Sequence, residues 1–165
     1  MALLGRIIGL ATEQYTEKNA VFTQTYGPES RGGASSSDVI IEDGKIDYPY
    51  ITPGNLDYFI VMSKEAYEKF VPYTNKTGTI FYDEDLVEID EQAPKKRFAI
   101  PATRIAERLG VKIAANIVML GFFSGNSDVI EVEAVKRAVL ESVPARFRKI
   151  NETAFLEGYN YGKGS

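Results

Sequence analysis

Histidine and cysteine are both absent from the 165 residues. Serine–histidine and cysteine–histidine catalysis therefore cannot operate within this chain. A zinc site of the ordinary nitrogen and sulfur type is excluded, and so is a cysteine-ligated iron–sulfur cluster. Carboxylate-bound magnesium or calcium remains open. Zero cysteines also fits a reducing compartment, and the expected location is cytoplasmic. No apolar run approaches the roughly 18 residues that a membrane span needs. The first residues, Met-Ala-Leu-Leu-Gly-Arg, lack the pattern of a secretion signal. Excess positive charge is missing too. The net charge of −4 and pI near 5.0 argue against nucleic acid as the main partner.

What is present suits one domain with a sizeable core, taken as residues 1–165. Hydrophobic residues make up 44% and charged residues 25%, ordinary values for a globular chain. Residues 2–14 read as a helix, with Leu3, Ile7, Leu10 and Ala11 on one face. Residues 20–26 and 38–42 read as strands. Asp43-Gly44 is a two-residue hairpin signal between Glu42 and Lys45-Ile46. The apolar run 56–62 suits a strand covered on both faces, as in a parallel sheet. Ser63 is placed to cap the helix after it, which buries Ala66, Tyr67, Phe70 and Val71. Residues 79–82 and 97–100 read as further strands. Pro101 suits the first position of a helix that Gly110 ends. A mostly apolar helix follows over 112–123. Asp128 and Glu131 have capping-box spacing ahead of Val132, Val135, Val139 and Val143. Pro144 opens a last helix carrying Phe147, Ile150 and Ala154, and the Gly-containing tail 158–165 is expected to be flexible. Strands alternating with helices imply an α/β fold: Rossmann-like, a mostly parallel sheet with helices on both faces, and an antiparallel hairpin.

The stretch Tyr26-Gly27-Pro28-Glu29-Ser30-Arg31-Gly32-Gly33-Ala34-Ser35-Ser36-Ser37 stands apart from these elements. Its three glycines free the backbone for a close approach, its amides and hydroxyls donate to anions, and Arg31 presents a fork to phosphate or carboxylate. The alternative is a structural turn with Arg31 paired to Glu29 or to a neighbouring chain. The spacing fits neither a Walker loop nor a dinucleotide fingerprint. Asp83-Glu84-Asp85, with Glu88, Asp90 and Glu91 beyond, offers carboxylates for a divalent cation, although charge runs are more often solvated loops. Lys95-Lys96-Arg97 reads as a surface patch. Asn116 inside an apolar helix needs partners, and the simpler reading is a satisfied core amide. No nucleophile–base pair stands out.

Several colinear blocks carry a resemblance. They are Gln24-Thr25-Tyr26-Gly27-Pro28-Glu29-Ser30-Arg31-Gly32-Gly33, Ser36-Ser37-Asp38-Val39-Ile40-Ile41, Ile46-Asp47-Tyr48-Pro49 and Asp57-Tyr58-Phe59-Ile60-Val61-Met62-Ser63. Ile100-Pro101-Ala102-Thr103-Arg104-Ile105-Ala106 and Asn116-Ile117-Val118-Met119-Leu120-Gly121 continue them. Over residues 1–145 the chain resembles the gamma subunit of 2-oxoacid:ferredoxin oxidoreductases, and the Tyr-Gly-Pro-Glu-Ser-Arg-Gly-Gly form looks most like the 2-oxoglutarate type.

The resemblance implies a non-catalytic subunit of a complex that oxidatively decarboxylates a 2-oxoacid to an acyl-coenzyme A and reduces ferredoxin, or runs in reverse. It implies alpha and beta partners, in some members a delta subunit, and ferredoxin reached through the complex. Thiamine diphosphate, magnesium and iron–sulfur clusters are expected on those partners and none on this chain alone, with coenzyme A as co-substrate. Gly27, Glu29, Arg31, Gly32 and Gly33 become the candidate site, for coenzyme A or subunit-interface contacts. A rival from another class is a stand-alone α/β module for a nucleotide or small molecule, with no partner subunits. An independent magnesium enzyme using the acidic cluster is a third.

The chain departs from the family at one place. Members begin with a strand and a Gly-x-Gly-Gly-Gln-Gly loop before the helix that starts here at residue 2. In a doubly wound sheet that strand is central, so its loss would leave an unpaired edge. Two alternatives stand: the start is set or trimmed too late, or another segment fills the gap.

Overall fold

The computed structural model describes residues 2–25 and 36–164. Helix α1 spans Ala2–Tyr15. Strands β1 (Asn19–Thr25) and β2 (Ser36–Glu42) pair antiparallel, in register from Asn19↔Glu42 to Thr25↔Ser36. Strands β3 (Leu56–Val61), β4 (Thr74–Asp83) and β5 (Arg97–Ile100) form a separate parallel sheet in that order. Helix α2 (Lys64–Phe70) joins β3 to β4. After β5 the chain is helical: α3 (Ala102–Arg108), α4 (Ala115–Asn126), α5 (Val132–Ser142) and α6 (Arg148–Lys163).

The pleat of the parallel sheet divides two cores. Ile60, Phe81 and Ile100 face the large core built from α1, α3, α4, α5 and α6. Phe59, Val61 and Ile80 face the opposite way, into a smaller core closed by Tyr67 of α2 and by Val87. Period-two alternation thus sends consecutive apolar residues to opposite faces, and both faces are covered by helices. Phe81 anchors the large core. It stacks on Phe98 at 5.3 Å and meets Phe122 and Phe123 edge-on at 5.9 and 5.2 Å.

Local chemistry sets several boundaries. Ser63 Oγ accepts from the Ala66 amide at 3.3 Å and starts α2. Gly110, at φ +76°, ends α3 in the left-handed region that a side chain disfavours. Pro101 precedes α3 as its cap residue, one position outside the helix, and offers no side-chain oxygen. The cap comes instead from the end of β4. Asp83, fully buried, accepts from the Thr103 amide at 2.9 Å and from its hydroxyl at 2.6 Å.

Four expectations need correction. The antiparallel hairpin joins β1 to β2, and no strand follows Asp43-Gly44 at Lys45-Ile46. A long in-register pairing displaces the local turn signal. The buried face of α1 is Leu4, Ile7, Ile8 and Ala11, with Leu3 and Leu10 at its margins. Asp128 and Glu131 do not form a capping box: α5 begins after Glu131 with no side-chain cap. The tail is not loose, because α6 runs to Lys163 and buries Gly158 and Gly162.

Those glycines explain how α6 docks. A Cβ on Gly158 would stand 1.9 Å from the Val118 carbonyl oxygen, and one on Gly121 would stand 2.0 Å from that of Phe155. The hydrogens in those directions face the carbonyls reciprocally, so the backbones of α4 and α6 meet with no side chain between them. Gly125 and Gly162 extend the contact by one turn, spaced four residues from Gly121 and Gly158.

Candidate functional site

Of the sequence-derived site, Gly27, Glu29, Arg31, Gly32 and Gly33 lie outside the described residues; its stem does not. Thr25 and Ser36 are register partners at the end of the β1–β2 ladder. The ladder lies against α1 because α1 has glycine where they touch. A Cβ at Gly5 would come within 2.6 Å of Ser37 Oγ and 2.9 Å of Phe22, whereas at Gly9 the nearest atom is 3.6 Å away. The stem is therefore held by the N-terminal half of α1.

A cleft of about 1530 Å³ opens beside the stem, between the hairpin and the parallel sheet. Its walls are β2 and β3, and α1, α2 and α4 contribute to its sides. Polar groups gather along it: Ser36, Ser37, Asp38, Ser63 and Asn116. Burial pushes the Asp38 carboxyl above the usual range, since desolvation penalises its charged form. The Asn116 Oδ1 is buried and meets no hydrogen-bond donor among the described residues. The expectation of a satisfied core amide at Asn116 is therefore not met at that oxygen by the described residues. Large apolar and aromatic groups continue the lining outward. Ile113 is 87% exposed, and Tyr48 and Tyr50, 65% and 62% exposed, meet edge-on at 5.4 Å. Such side chains in the open mark an interaction surface. The sequence signal for them was Tyr48-Pro49-Tyr50, paired aromatics in a turn-rich segment where no core face is available.

The acidic cluster is engaged with protein donors. Asp83 holds α3, as described above. Arg104 of α3 bonds Asp85 through Nε at 3.1 Å and also reaches Glu84. The hydrogen bond that Arg104 donates to Asp85 pushes the exposed guanidinium further up. Asp90 accepts from the Tyr67 hydroxyl at 3.2 Å. Among the described residues no group of three or more histidine, cysteine, aspartate or glutamate side chains is placed to hold a metal ion. Lys95, Lys96 and Arg97 are exposed, as expected of a surface patch. The structure thus brings Ser36, Ser37, Asp38, Ser63 and Asn116 to one cleft, and it leaves the acidic run on a different edge.

The pyruvate ferredoxin/flavodoxin oxidoreductase model matches residues 1–161. The chain belongs to that family. Within the family it is 40% identical over 164 residues to the 2-oxoglutarate synthase subunit KorC of Methanocaldococcus jannaschii, covering 98% of this chain and 87% of that protein. The KorC of Methanothermobacter thermautotrophicus is 37% identical, over 94% of this chain and 85% of its own length. Among solved structures, the keto/oxoacid ferredoxin oxidoreductase gamma subunit from Geobacter sulfurreducens superposes with a TM-score of 0.86 at 33% identity, covering 99% of this chain and 92% of that one. The 2-oxoglutarate:ferredoxin oxidoreductase of Magnetococcus marinus, determined with 2-oxoglutarate, coenzyme A and succinyl-CoA bound, shares the fold at a TM-score of 0.74 and 21% identity. There the match spans 98% of this chain and 28% of the other. The α/β family fold agrees with the architecture expected from sequence. Among the described residues no helix is long and apolar enough to cross a membrane.

Proposed function

We propose that this chain is the gamma subunit of a 2-oxoacid:ferredoxin oxidoreductase of the 2-oxoglutarate type. The near full-length similarity to several KorC proteins carries the reading. The complex would convert 2-oxoglutarate and coenzyme A to succinyl-CoA and carbon dioxide while reducing ferredoxin, or run the reverse. Thiamine diphosphate with its magnesium and the iron–sulfur clusters would sit on the alpha and beta subunits, or on a delta subunit. This chain has no cysteine or histidine with which to hold a cluster. Its work in this reading is assembly and coverage of the coenzyme A site. The segment Gly27–Gly33 would supply the contact, with Arg31 pairing an anionic group by charge-assisted hydrogen bonds. The exposed Tyr48, Tyr50 and Ile113 give the cleft an apolar surface for a neighbouring subunit.

The test is purification of the intact complex through a tag on this chain. Co-purification of thiamine-dependent subunits, with 2-oxoglutarate-dependent and coenzyme A-dependent ferredoxin reduction, is expected. A monomer recovered alone that binds a nucleotide would replace this reading with the stand-alone module. In the complex, Arg31→Ala is expected to raise KM for coenzyme A about tenfold or more, the effect of one lost charge-assisted contact. Unchanged coenzyme A affinity together with unchanged assembly would remove Arg31 from the site and leave the subunit assignment standing.

A further inference from the structure

A second groove, of about 1030 Å³, shares no lining residue with the cleft. Helix α2 separates the two: Tyr67 and Val71, one turn apart, line the groove, whereas Ala66, Lys69 and Phe70 line the cleft. One wall is the start of β4. Leu56 pairs with Thr74 and Tyr58 with Thr79, so Asn75, Lys76, Thr77 and Gly78 stand opposite Asp57 alone. Such a bulge re-aims side chains, and here it leaves Lys76 exposed. Asn75 fixes it: Oδ1 accepts from the Thr77 amide at 2.9 Å, and Nδ2 donates to Asp57 Oδ1 at 2.6 Å. A Cβ at Gly78 would stand 2.9 Å from the Leu56 carbonyl oxygen, so the bulge needs glycine there. The other wall is the segment 90–96. The Asp90 amide donates to the Tyr67 hydroxyl at 3.1 Å, Arg97 Nη1 donates to the Asp90 carbonyl at 3.2 Å, and the Ile80 amide donates to the Lys96 carbonyl at 3.0 Å. Both walls are therefore preformed, which lowers the ordering cost when a partner enters.

The groove collects lysines without partners. Lys45, Lys64, Lys112 and Lys136 each pair with a carboxylate, and Lys69 and Lys163 lie over aromatic rings. Among the described residues Lys76, Lys95 and Lys96 have neither, in a chain with 23 acidic residues against 19 basic ones. All three line the groove, Lys76 on one wall and Lys95 and Lys96 on the other. Glu91 lines it too and pairs with none of them, while the Asp90 carboxylate accepts from Tyr67. Val71, Pro72, Ala93 and Pro94, each at least partly exposed, add apolar surface to the lining. An arginine fork would favour one compact anion, but no arginine lines the groove. Separate ammonium groups on two walls suit carboxylates spaced along a chain.

We propose that this groove docks an extended acidic segment of a partner subunit, with its carboxylates on Lys76, Lys95 and Lys96 and an apolar side chain against the apolar lining. Charge complementarity selects the partner. The net charge of −4 disfavours an acidic surface over the chain as a whole, so the unpaired lysines fix where such a segment arrives and in which orientation. This docking rests on the reading of the chain as a subunit, and it adds a contact separate from the cleft rim at Tyr48, Tyr50 and Ile113.

Treating the purified complex with a carbodiimide tests the contact. The reagent couples a lysine amine to a carboxylate as an amide, with loss of water and no spacer, so only touching groups are joined. Peptide mass spectrometry should find Lys76, Lys95 and Lys96 joined to aspartate or glutamate of another subunit. Lys18 and Lys149, which also lack partners, should give few such products or none. Lys76→Glu, Lys95→Glu and Lys96→Glu combined should weaken binding to the remaining subunits about tenfold or more at low ionic strength. High salt should bring the variant and the parent together. All three side chains are exposed and unpaired, so the melting temperature of the variant should match the parent's. An active complex with no inter-subunit products at these lysines overturns the docking and leaves the subunit reading standing. Products that join the groove only to Glu91, or to a second copy of this chain, overturn it as well. So does an equal loss of binding per charge in Lys18→Glu/Lys149→Glu, which would reduce the effect to net charge.

Discussion

Replacing Gly158 with alanine tests the docking of α6 on α4. In an ordinary helix the change is favourable by about 0.8–1.0 kcal/mol, from helix propensity. Here the new Cβ would lie 1.9 Å from the Val118 carbonyl oxygen, 2.8 Å from its carbon and 3.0 Å from the Phe122 nitrogen. All three are backbone atoms of α4, so no rotamer change relieves the clash. Reaching a normal carbon–oxygen separation would move the helices apart by more than about 1 Å. That movement would loosen packing around Phe122 and Phe155, both fully buried. Overpacking costs typically about 1–3 kcal/mol, and backbone on the opposing side puts this case at the upper end. With the propensity gain subtracted, the expected net loss is about 2 kcal/mol. For a chain of this length that lowers Tm by roughly 4–8 °C. Gly9→Ala is the control: its Cβ meets only Phe22 at 3.6 Å, so propensity should dominate and stabilise by up to about 1 kcal/mol. Urea titration of both variants reads the difference. If Gly158→Ala is as stable as the parent, the close approach is wrong. The Gly121→Ala/Gly158→Ala pair should cost less than the sum of the single changes, because one separation relieves both clashes.

Three further outcomes follow from the same geometry. Asp83→Ala should cost about 2–3 kcal/mol, because it leaves the Thr103 amide and hydroxyl without an acceptor; Asp83→Asn should cost less, and thermal melts separate the two. Asp38 has a raised folded-state pKa, so the unfolded chain releases this proton first and stability falls as pH rises from the unfolded to the folded value. Asp38→Asn should accordingly raise the urea midpoint at about pH 7 and leave it unchanged at about pH 3, below both values; an equal gain at both would refute burial of the charge as the cause. Ser63→Ala should cost about 1 kcal/mol by removing the cap of α2, read as a shift of the urea midpoint with unchanged slope.

The elements that could be read from sequence are those whose signal is local. The serine at 63, the glycine at 110 and the apolar runs at 56–62 and 79–82 each act on their own neighbours, and the structure uses them as expected. The elements that depart from their local signal depend on partners distant in sequence. Asp43-Gly44 has the composition of a tight turn, yet β2 had already paired with β1. Gly158 and Gly162 resemble loop glycines until Gly121 and Gly125 face them. Asp83 looks like one acid in a solvated run, and its burial follows from a threonine 20 residues later. Within the candidate site, the hydroxyls at 36 and 37 read in sequence only as part of a small-residue run. Their meeting with Ser63 and Asn116 across the cleft leaves no periodic trace.

The hairpin's attachment has a mechanical consequence. β1 and β2 bond to each other and lie on α1, and α1 in turn packs against α5; neither strand bonds to the parallel sheet. The two strands are therefore mounted as a lever whose fulcrum is a helix. A force applied to them by a neighbouring molecule would pass into the seam between α1 and α5, where Ile7, Ala11, Val135 and Val139 are buried, before it reached β3. That seam is the place where engagement at the tip would register as strain.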